Sequence, residues 1–158
     1  MLIVSDTYPI TNLIQIDQLD LLKHLFGQVI IPEKVYEELC VYEAQKKEIE
    51  NRDWLLVKSV TNKKAVKELE KHLDAGEAEA VVLAKELNAD LLIIDERKGR
   101  KTAAEYGLKI IGLLGVLVSG KKKGYLVELK PILDKLIEDI GFRVSEKLYK
   151  RILKEVNE

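Results

Sequence analysis

Residues 91–95, Leu91-Leu92-Ile93-Ile94-Asp95, decide the fold of this chain. The four apolar residues predict a buried strand, and Asp95 follows at its carboxyl end. Leu2-Ile3-Val4 predicts a second buried strand near the amino terminus, and Asp6 lies at the carboxyl end of that strand. In open parallel sheets, ligands and chemistry collect at the carboxyl ends of the strands. The two stretches therefore predict a functional site that contains both carboxylates.

Further strands and helices alternate along the chain. Strands or extended segments are predicted at 29–31, where Pro32 ends the run, at 54–60 and at 109–111. Helices are predicted over 9–14, 19–26, 32–51, 62–73, 77–87, 98–106, 113–123, 127–140 and 145–156. This alternation favours right-handed βαβ units and a parallel sheet. We therefore expect an α/β fold with a central, mainly parallel sheet flanked by helices.

The composition indicates one globular domain over residues 1–158. The net charge of −1 provides no overall positive field, so any binding of nucleic acid must rest on local basic patches. The single cysteine excludes an intramolecular disulfide. Asp6 interrupts the first apolar stretch, so no signal peptide is predicted, and no apolar run approaches the length of a membrane span. We expect a soluble, cytoplasmic protein.

Glu38 is distinguished from its neighbour Glu37 by helix geometry. At about 100° per residue, Glu38 lies about 65° from the centre of an apolar stripe formed by Val35, Leu39 and Tyr42. Glu37 lies about 165° from the same centre. Glu38 is therefore expected to flank the buried face and to look into a cleft, whereas Glu37 points into water.

Glu77 is distinguished in the same way on the helix that starts near Gly76. It lies about 50° from the centre of the apolar stripe of that helix, compared with about 110° for Glu79 and about 130° for Glu86. Glu77 also lies in the first turn, where a carboxylate interacts favourably with the helix dipole. A carboxylate at a helix start and others at strand ends can share one cleft.

The four acids predict metal-dependent chemistry. Carboxylates held close together repel one another unless a cation neutralises them, and oxygen ligands of this kind suit Mg²⁺ or Mn²⁺. Such metals promote phosphodiester hydrolysis, because they neutralise the phosphoryl oxygens and activate a water, whose proton a carboxylate can accept. Taken singly, Asp6 and Asp95 also fit turn formers or helix caps, and Glu38 and Glu77 also fit a solvated helix face. Only the joint pattern favours a site.

These residues resemble the PIN-domain family, in particular a prokaryotic subgroup related to the VapC-type toxins. The resemblance covers nearly the whole chain. It rests on Val4-Ser5-Asp6-Thr7, Ile30-Ile31-Pro32, Val35-Tyr36-Glu37-Glu38-Leu39, Gly76-Glu77-Ala78-Glu79-Ala80, Leu92-Ile93-Ile94-Asp95, Arg97-Lys98-Gly99-Arg100, Gly107-Leu108-Lys109-Ile110-Ile111-Gly112 and Leu114-Gly115-Val116-Leu117. Each motif alone is weak, and the whole set in order is fairly specific.

The resemblance implies a three-layer sandwich and a ribonuclease that depends on Mg²⁺ or Mn²⁺. The family's four acids, taken in order, match Asp6, Glu38, Glu77 and Asp95. Thr7 matches a hydroxyl residue that often lies beside the metal, and Asn12 falls where this subgroup often has a polar side chain. Related proteins are often homodimers, and some are toxins that pair with an antitoxin protein.

Two residues depart from the family pattern. The third acid is commonly Asp and is Glu77 in this chain, which bears on how many metal ions the site holds. Tyr8 stands where a small residue is frequent. Its ring either narrows the cleft, stacks on a base or packs as a partly buried aromatic side chain.

Basic residues follow Asp95 closely. Arg97, Lys98, Arg100 and Lys101 leave the strand end beside the predicted metal, where they are expected to contact phosphates of an RNA. The cluster at 121–123 fits either the same role or a solvated face. No role in a site is expected for His24, His72 or Cys40.

The sequence leaves three functions open. The first is a metal-dependent ribonuclease, either free-standing or as the toxin of a toxin–antitoxin pair. The second is a catalytically weak or inactive module that binds RNA or a partner protein. The third is a structural homodimer in which the acids only cap helices. A melting temperature that responds to divalent metals would distinguish the first from the third.

Overall fold

A computed structural model describes residues 1–158 and shows a five-stranded, all-parallel sheet in the order β3-β2-β1-β4-β5. The strands are β1 (Ile3–Ser5), β2 (Val29–Pro32), β3 (Leu55–Lys58), β4 (Leu91–Ile93) and β5 (Ile110–Ile111). The helices are α1 (Thr7–Gln15), α2 (Leu21–Phe26), α3 (Glu33–Leu39), α4 (Glu43–Glu50), α5 (Lys63–Leu69), α6 (Ala75–Glu86), α7 (Arg97–Glu105), α8 (Leu113–Lys122), α9 (Lys130–Glu138) and α10 (Glu146–Glu155). The predicted α/β class with a parallel sheet is confirmed.

The strand order reverses between β1 and β4. The chain builds outward from β1 through β2 to β3, and it then returns to place β4 on the other side of β1. Val4 pairs with Ile30 of β2 on one side and with Leu92 of β4 on the other. The loops that leave β1 and β4 therefore diverge, which opens a crevice at their carboxyl ends. Asp6 and Asp95 follow these two strands.

Two apolar layers cover the two faces of the sheet. The larger contains 25 buried residues and joins one face to α1–α4 and α8–α10, and the smaller contains 15 and joins the other face to α5–α7. Consecutive strand residues point to opposite faces, so the buried runs at 3–4 and 92–93 contribute to both layers. The predicted three-layer sandwich is confirmed. None of its helices is both long and apolar enough to cross a membrane.

One predicted helix is wrong. The sequence predicted a continuous helix over 32–51, whereas the structure has α3 and α4 separated at Cys40, Val41 and Tyr42. The prediction placed Tyr42 on the buried stripe, yet its side chain is 67% exposed. Tyr42 has an extended backbone with ψ of 125°, which ends the helical path and caps the start of α4.

Candidate active site at the carboxyl edge of the sheet

Asp6 lies at the centre of the site. It follows β1, forms the N-cap position of α1 and is only 1% exposed. Burial raises the pKa of Asp6 to about 7, although the Thr7 backbone N–H lowers it, and the charges of Asp74, Glu38 and Asp95 raise it further. The protein therefore holds this carboxylate where ionisation is unfavourable unless a cation is present.

Glu38 faces the site from α3, and Glu37 is exposed. The Thr7 hydroxyl donates a hydrogen bond to Glu38 Oε1 at 2.6 Å. A Cβ on Gly76 would collide with that same oxygen, so only glycine at position 76 leaves room for the carboxylate. Burial raises the pKa of Glu38, whereas the Thr7 hydrogen bond and the charge of Lys34 lower it.

Glu77 is held by a capping box at the start of α6. Its backbone N–H donates to Asp74 Oδ1 at 2.8 Å, and its own Oε1 accepts from the Asp74 N–H at 3.2 Å. Glu77 is 4% exposed, and its Oε2 is buried without a hydrogen-bond partner. Burial, followed by the side chain and charge of Asp74, raises the pKa of Glu77 to about 8, although the hydrogen bond from the Asp74 backbone N–H lowers it. One oxygen thus fixes the side chain, and the other is left unsatisfied.

Asp95 repeats this arrangement on the other side of the crevice. Its Oδ1 accepts a hydrogen bond of 2.9 Å from the Leu113 N–H at the start of α8, and its Oδ2 is buried without a partner. Burial raises the pKa of Asp95, whereas the Leu113 N–H and the positive charge of Arg100 lower it. The Arg100 guanidinium donates to the Ile94 carbonyl, which holds the charge beside Asp95.

The charges of these acids act on one another across the carboxyl edge of the sheet. The charges of Glu38 and Asp95 raise the pKa of Asp6, and the charge of Asp6 raises that of Glu77. Asp74 was not among the predicted site residues. Its charge raises the pKa of Asp6, Glu38 and Glu77, so it adds a fifth carboxylate to the cluster. The capping pattern formed by Asp74 and Glu77 was a sequence feature that could have indicated it.

Three glycines, also missed by sequence reasoning, make room for the carboxylates. Besides Gly76 beside Glu38, a Cβ on Gly99 would lie 2.9 Å from Glu77 Oε2, and a Cβ on Gly112 would lie 2.6 Å from Asp95 Oδ1. These approaches join segments that are distant in the sequence. A side chain at any of the three positions would therefore displace a carboxylate.

The donor set suits a divalent cation, although it does not form a finished cage. Two buried carboxylate oxygens lack any partner, and all donors are the hard oxygens that Mg²⁺ and Mn²⁺ prefer. No three side chains of the His, Cys, Asp or Glu types converge closely enough to hold a metal ion as they stand. The acids fit the cation in chemistry, and binding would require them to draw together.

Two clefts lie on either side of Tyr8, whose side chain is 57% exposed. One is a groove of about 860 Å³ that contains Asn12, Asp95 and Arg97. The other is a cleft of about 350 Å³ that contains Thr7 and Glu38. Tyr8 therefore divides the surface in front of the carboxylates.

The remaining basic residues differ in whether they have acidic partners within the protein. Lys98 and Lys101 are exposed on α7. Lys121 pairs with Glu158 at 3.6 Å and Lys122 pairs with Glu155 at 2.6 Å. The cluster at 121–123 is thus largely engaged with the carboxyl-terminal segment.

The histidines and the cysteine lie outside the site. His24 stacks on Tyr125 with ring centroids 5.3 Å apart, and His72 Nε2 lies 3.4 Å from the Thr102 hydroxyl. Cys40 is half-buried at the end of α3.

A comparison with protein families gives a match over nearly the whole chain. A family model described as PIN domain matches residues 2–158, which is nearly the whole chain. No curated protein matches the chain significantly.

Proposed function

Because the chain belongs to the PIN-domain family, whose fold is of the nuclease type, we propose that it is an endoribonuclease that depends on Mg²⁺ or Mn²⁺. The observation that carries this proposal is the pair of buried, unpartnered oxygens, Glu77 Oε2 and Asp95 Oδ2, beside the buried Asp6. Leaving carboxylates without partners destabilises a fold, unless a ligand satisfies them.

The four acids Asp6, Glu38, Glu77 and Asp95 would hold the cation. When bound, a divalent metal neutralises charge on the phosphoryl group and lowers the pKa of a water that attacks it. The chain's own residues prepare the site for that chemistry. Thr7 orients Glu38, and the Leu113 N–H orients Asp95. These two carboxylates are therefore already oriented before a cation binds, which lowers the entropic cost of binding.

Protonation of Glu77 couples metal binding to pH. With its pKa raised to about 8, Glu77 holds a proton at neutral pH in the metal-free protein. That proton must leave before the side chain can bind a cation, so binding releases protons.

The length of the Glu77 side chain suits its position in the first turn of α6. The capping box requires a side chain that reaches back to the Asp74 N–H from the third helical position, as Glu does. Glu77 thereby caps α6 with one oxygen and presents the other to the site. Glu77, which stands where the family more commonly has Asp, thus also stabilises the start of α6.

The role of a toxin adds a partner protein to the proposal. Tyr8, Val41 and Tyr42 are exposed and line the smaller cleft next to Glu38, which would suit an antitoxin segment that covers the site. The antitoxin, the homodimer, the cytoplasmic location and the organisation of residues 1–158 as one domain stay predictions.

Cleavage of a labelled RNA in Mn²⁺ and in a chelator tests the proposed activity. We expect cleavage by the parent protein only with metal, and a loss of at least about 100-fold in Glu38→Gln, because a metal ligand should matter more than its supporting shell. Glu37→Gln, one residue away and exposed, is the matched control and should cleave normally. Equal activity of both variants would overturn the assignment of Glu38.

One observation favours the second function, a module that binds RNA without cutting it. The carboxylates do not converge on one point as they stand. If the parent protein binds RNA but does not cleave it at any Mn²⁺ or Mg²⁺ concentration, this binding module is favoured over the ribonuclease.

A further inference from the structure

Arg100 is placed differently from the other basic residues of α7. Its side chain is half-buried, whereas Arg97, Lys98 and Lys101 are exposed. Arg97 lines the larger groove in front of the carboxylates, and Arg100 does not. Arg100 is therefore outside the lining of the surface that an RNA would reach.

The Arg100 guanidinium is fixed to the end of β4. Its Nη1 donates a hydrogen bond of 3.2 Å to the carbonyl of Ile94, the residue that precedes Asp95. The Arg100 backbone N–H donates to the carbonyl of Glu96, the residue that follows Asp95. The backbone and the side chain of this one residue therefore restrain the turn on both sides of Asp95.

Gly112 leaves room for the guanidinium beside the carboxylate. A Cβ on Gly112 would lie 2.6 Å from Arg100 Nη1 and 2.6 Å from Asp95 Oδ1, so both groups approach the same point of the backbone. Gly112 has a φ of −96° and a ψ of 177°, an extended conformation that any residue can adopt. Glycine is therefore required at this position for space and not for its backbone freedom.

The guanidinium lies close to Asp95 without pairing with it. No salt bridge joins Arg100 to Asp95. Asp95 Oδ1 accepts from the Leu113 N–H, and Oδ2 is buried without a partner. A guanidinium in direct contact can engage both oxygens of a carboxylate, because the two planar groups match. The hydrogen bond to the Ile94 carbonyl therefore matters, since it keeps the guanidinium at a distance from Oδ2.

We propose that Arg100 is a positioning residue, which holds the turn that carries Asp95 and leaves Oδ2 of that carboxylate free for a divalent cation. Arg100 acts through Asp95 and does not contact the RNA. The Ile94 carbonyl holds the guanidinium, and the Leu113 N–H holds Oδ1. The inference rests on the proposed metal-dependent function and deepens it at one ligand. It gives Arg100 a role other than the phosphate contact expected from its place after the strand.

Calorimetry with Mn²⁺ in the absence of RNA separates position from charge. Removing a positive charge near the site reduces repulsion of a bound cation, so Arg100→Gln should raise Mn²⁺ affinity if only the charge matters. We expect the opposite, a fall of about 10- to 100-fold, as for other groups that orient metal ligands. An unchanged or raised affinity would overturn the proposal.

Arg97→Gln is the matched comparison for metal binding. It removes the same charge from an exposed position on the same helix, one turn away from Arg100. Its Mn²⁺ affinity should not fall. An equal fall in both variants would overturn the proposal, because the effect would then come from the charge of α7 and not from the position of Arg100.

The Leu113 amide reports the position of Asp95 whether or not a metal binds. Its hydrogen bond to Oδ1 should slow its exchange with solvent, which NMR measures. In metal-free Arg100→Gln, we expect this protection to fall about tenfold or more. The Val116 N–H, which donates to the Gly112 carbonyl in the same helix, should stay protected and so show that α8 is folded. An unchanged Leu113 amide would overturn the proposal.

Measurements with RNA distinguish failure of this inference from failure of the proposed activity. In a chelator, fluorescence anisotropy should give the same RNA affinity for Arg100→Gln and the parent. In saturating Mn²⁺, the variant should have a lower kcat and a normal KM. A loss of RNA affinity in the chelator would overturn the proposal in favour of a phosphate contact. If the parent binds Mn²⁺ but cuts no RNA, only the proposed activity is contradicted, and calorimetry and NMR still decide the role of Arg100.

Discussion

Two groups of acidic side chains in this protein differ in how their charge is compensated. In the turn before β3, Arg52 lies between Asp20, at 3.1 Å, and Glu48, so these two acids share one cation. At the carboxyl edge of the sheet, none of the main influences on the pKa of Asp6 or Glu77 comes from a basic side chain. Asp20 and Glu48 thus have a basic partner within the protein, whereas Asp6 and Glu77, which we propose as ligands of a divalent cation, have none among their main electrostatic influences.

The largest expected effect comes from breaking the uncompensated cluster at its centre. Asp6→Asn removes a buried charge and a proposed ligand, so we expect Mn²⁺ affinity to fall by at least about 100-fold. The metal-free variant should at the same time be more stable than the parent at pH 8, because the parent must bury an ionised carboxylate there.

Calorimetry measures the affinity, and denaturant unfolding measures the stability. A variant that loses metal binding but is also destabilised would contradict this account. Asp20→Asn, in the compensated region, is the matched control and should keep normal Mn²⁺ affinity.

Gly76→Ala tests the shape of the same cluster without changing any charge. The new methyl group would collide with Glu38 Oε1, which lies at the end of a flexible side chain. The carboxylate should therefore move while the fold stays intact. We expect Mn²⁺ affinity and cleavage to fall about 10- to 100-fold, as for groups that orient metal ligands, with little change in melting temperature.

Gly115→Ala provides the control for this change in a helix. Its methyl group would meet the Ile111 side chain rather than a carboxylate. Normal metal affinity in Gly76→Ala would show that Glu38 does not bind from its present position.

The sheet and the positions of Asp6 and Asp95 at strand ends could be predicted because local patterns determine them. Short apolar runs such as 91–94 specify buried parallel strands, and strand ends specify where Asp6 and Asp95 lie. The break between α3 and α4 was not predictable in this way. The sequence of Cys40 and Val41 contains no residue that signals the end of a helix. The break is visible only in the structure, where the backbone of Tyr42 is extended.

The parts of the site that escaped prediction depend on tertiary contacts. The approach of Gly76 to Glu38 joins α6 to α3, and no local pattern records it. The charge of Asp74 reaches Asp6 only in the folded chain.

The pH dependence of stability sharpens the comparison between the regions. Folding raises the pKa of Asp6 to about 7 and that of Glu77 to about 8, above their values of about 4 in the unfolded chain. The metal-free protein binds more protons when folded, so its free energy of unfolding should fall as the pH rises through this window. We expect a loss of about 3–4 kcal/mol between pH 6 and 8, measured by denaturant unfolding.

Saturating Mn²⁺ should oppose that loss, and its stabilising effect should grow with pH, because deprotonated acids bind the cation. Asp6→Asn should reduce the pH dependence of the metal-free protein, which separates the share of Asp6 from that of Glu77. Metal-free stability that rises between pH 6 and 8 would contradict the assignment of unpaired acids to this edge.

The smallest effect is expected in the compensated region. Arg52→Gln removes the cation that Asp20 and Glu48 share, but both acids are largely exposed and water replaces much of the interaction. Pairs of this kind contribute about 0.2–1 kcal/mol, so the free energy of unfolding should fall by about that amount, and less at high salt. Mn²⁺ affinity and cleavage should stay normal. If Arg52→Gln instead weakened Mn²⁺ binding, the two regions would be coupled. The ion pairs of Arg52 would then influence the uncompensated carboxylates at the edge of the sheet, and the comparison between the two regions would fail.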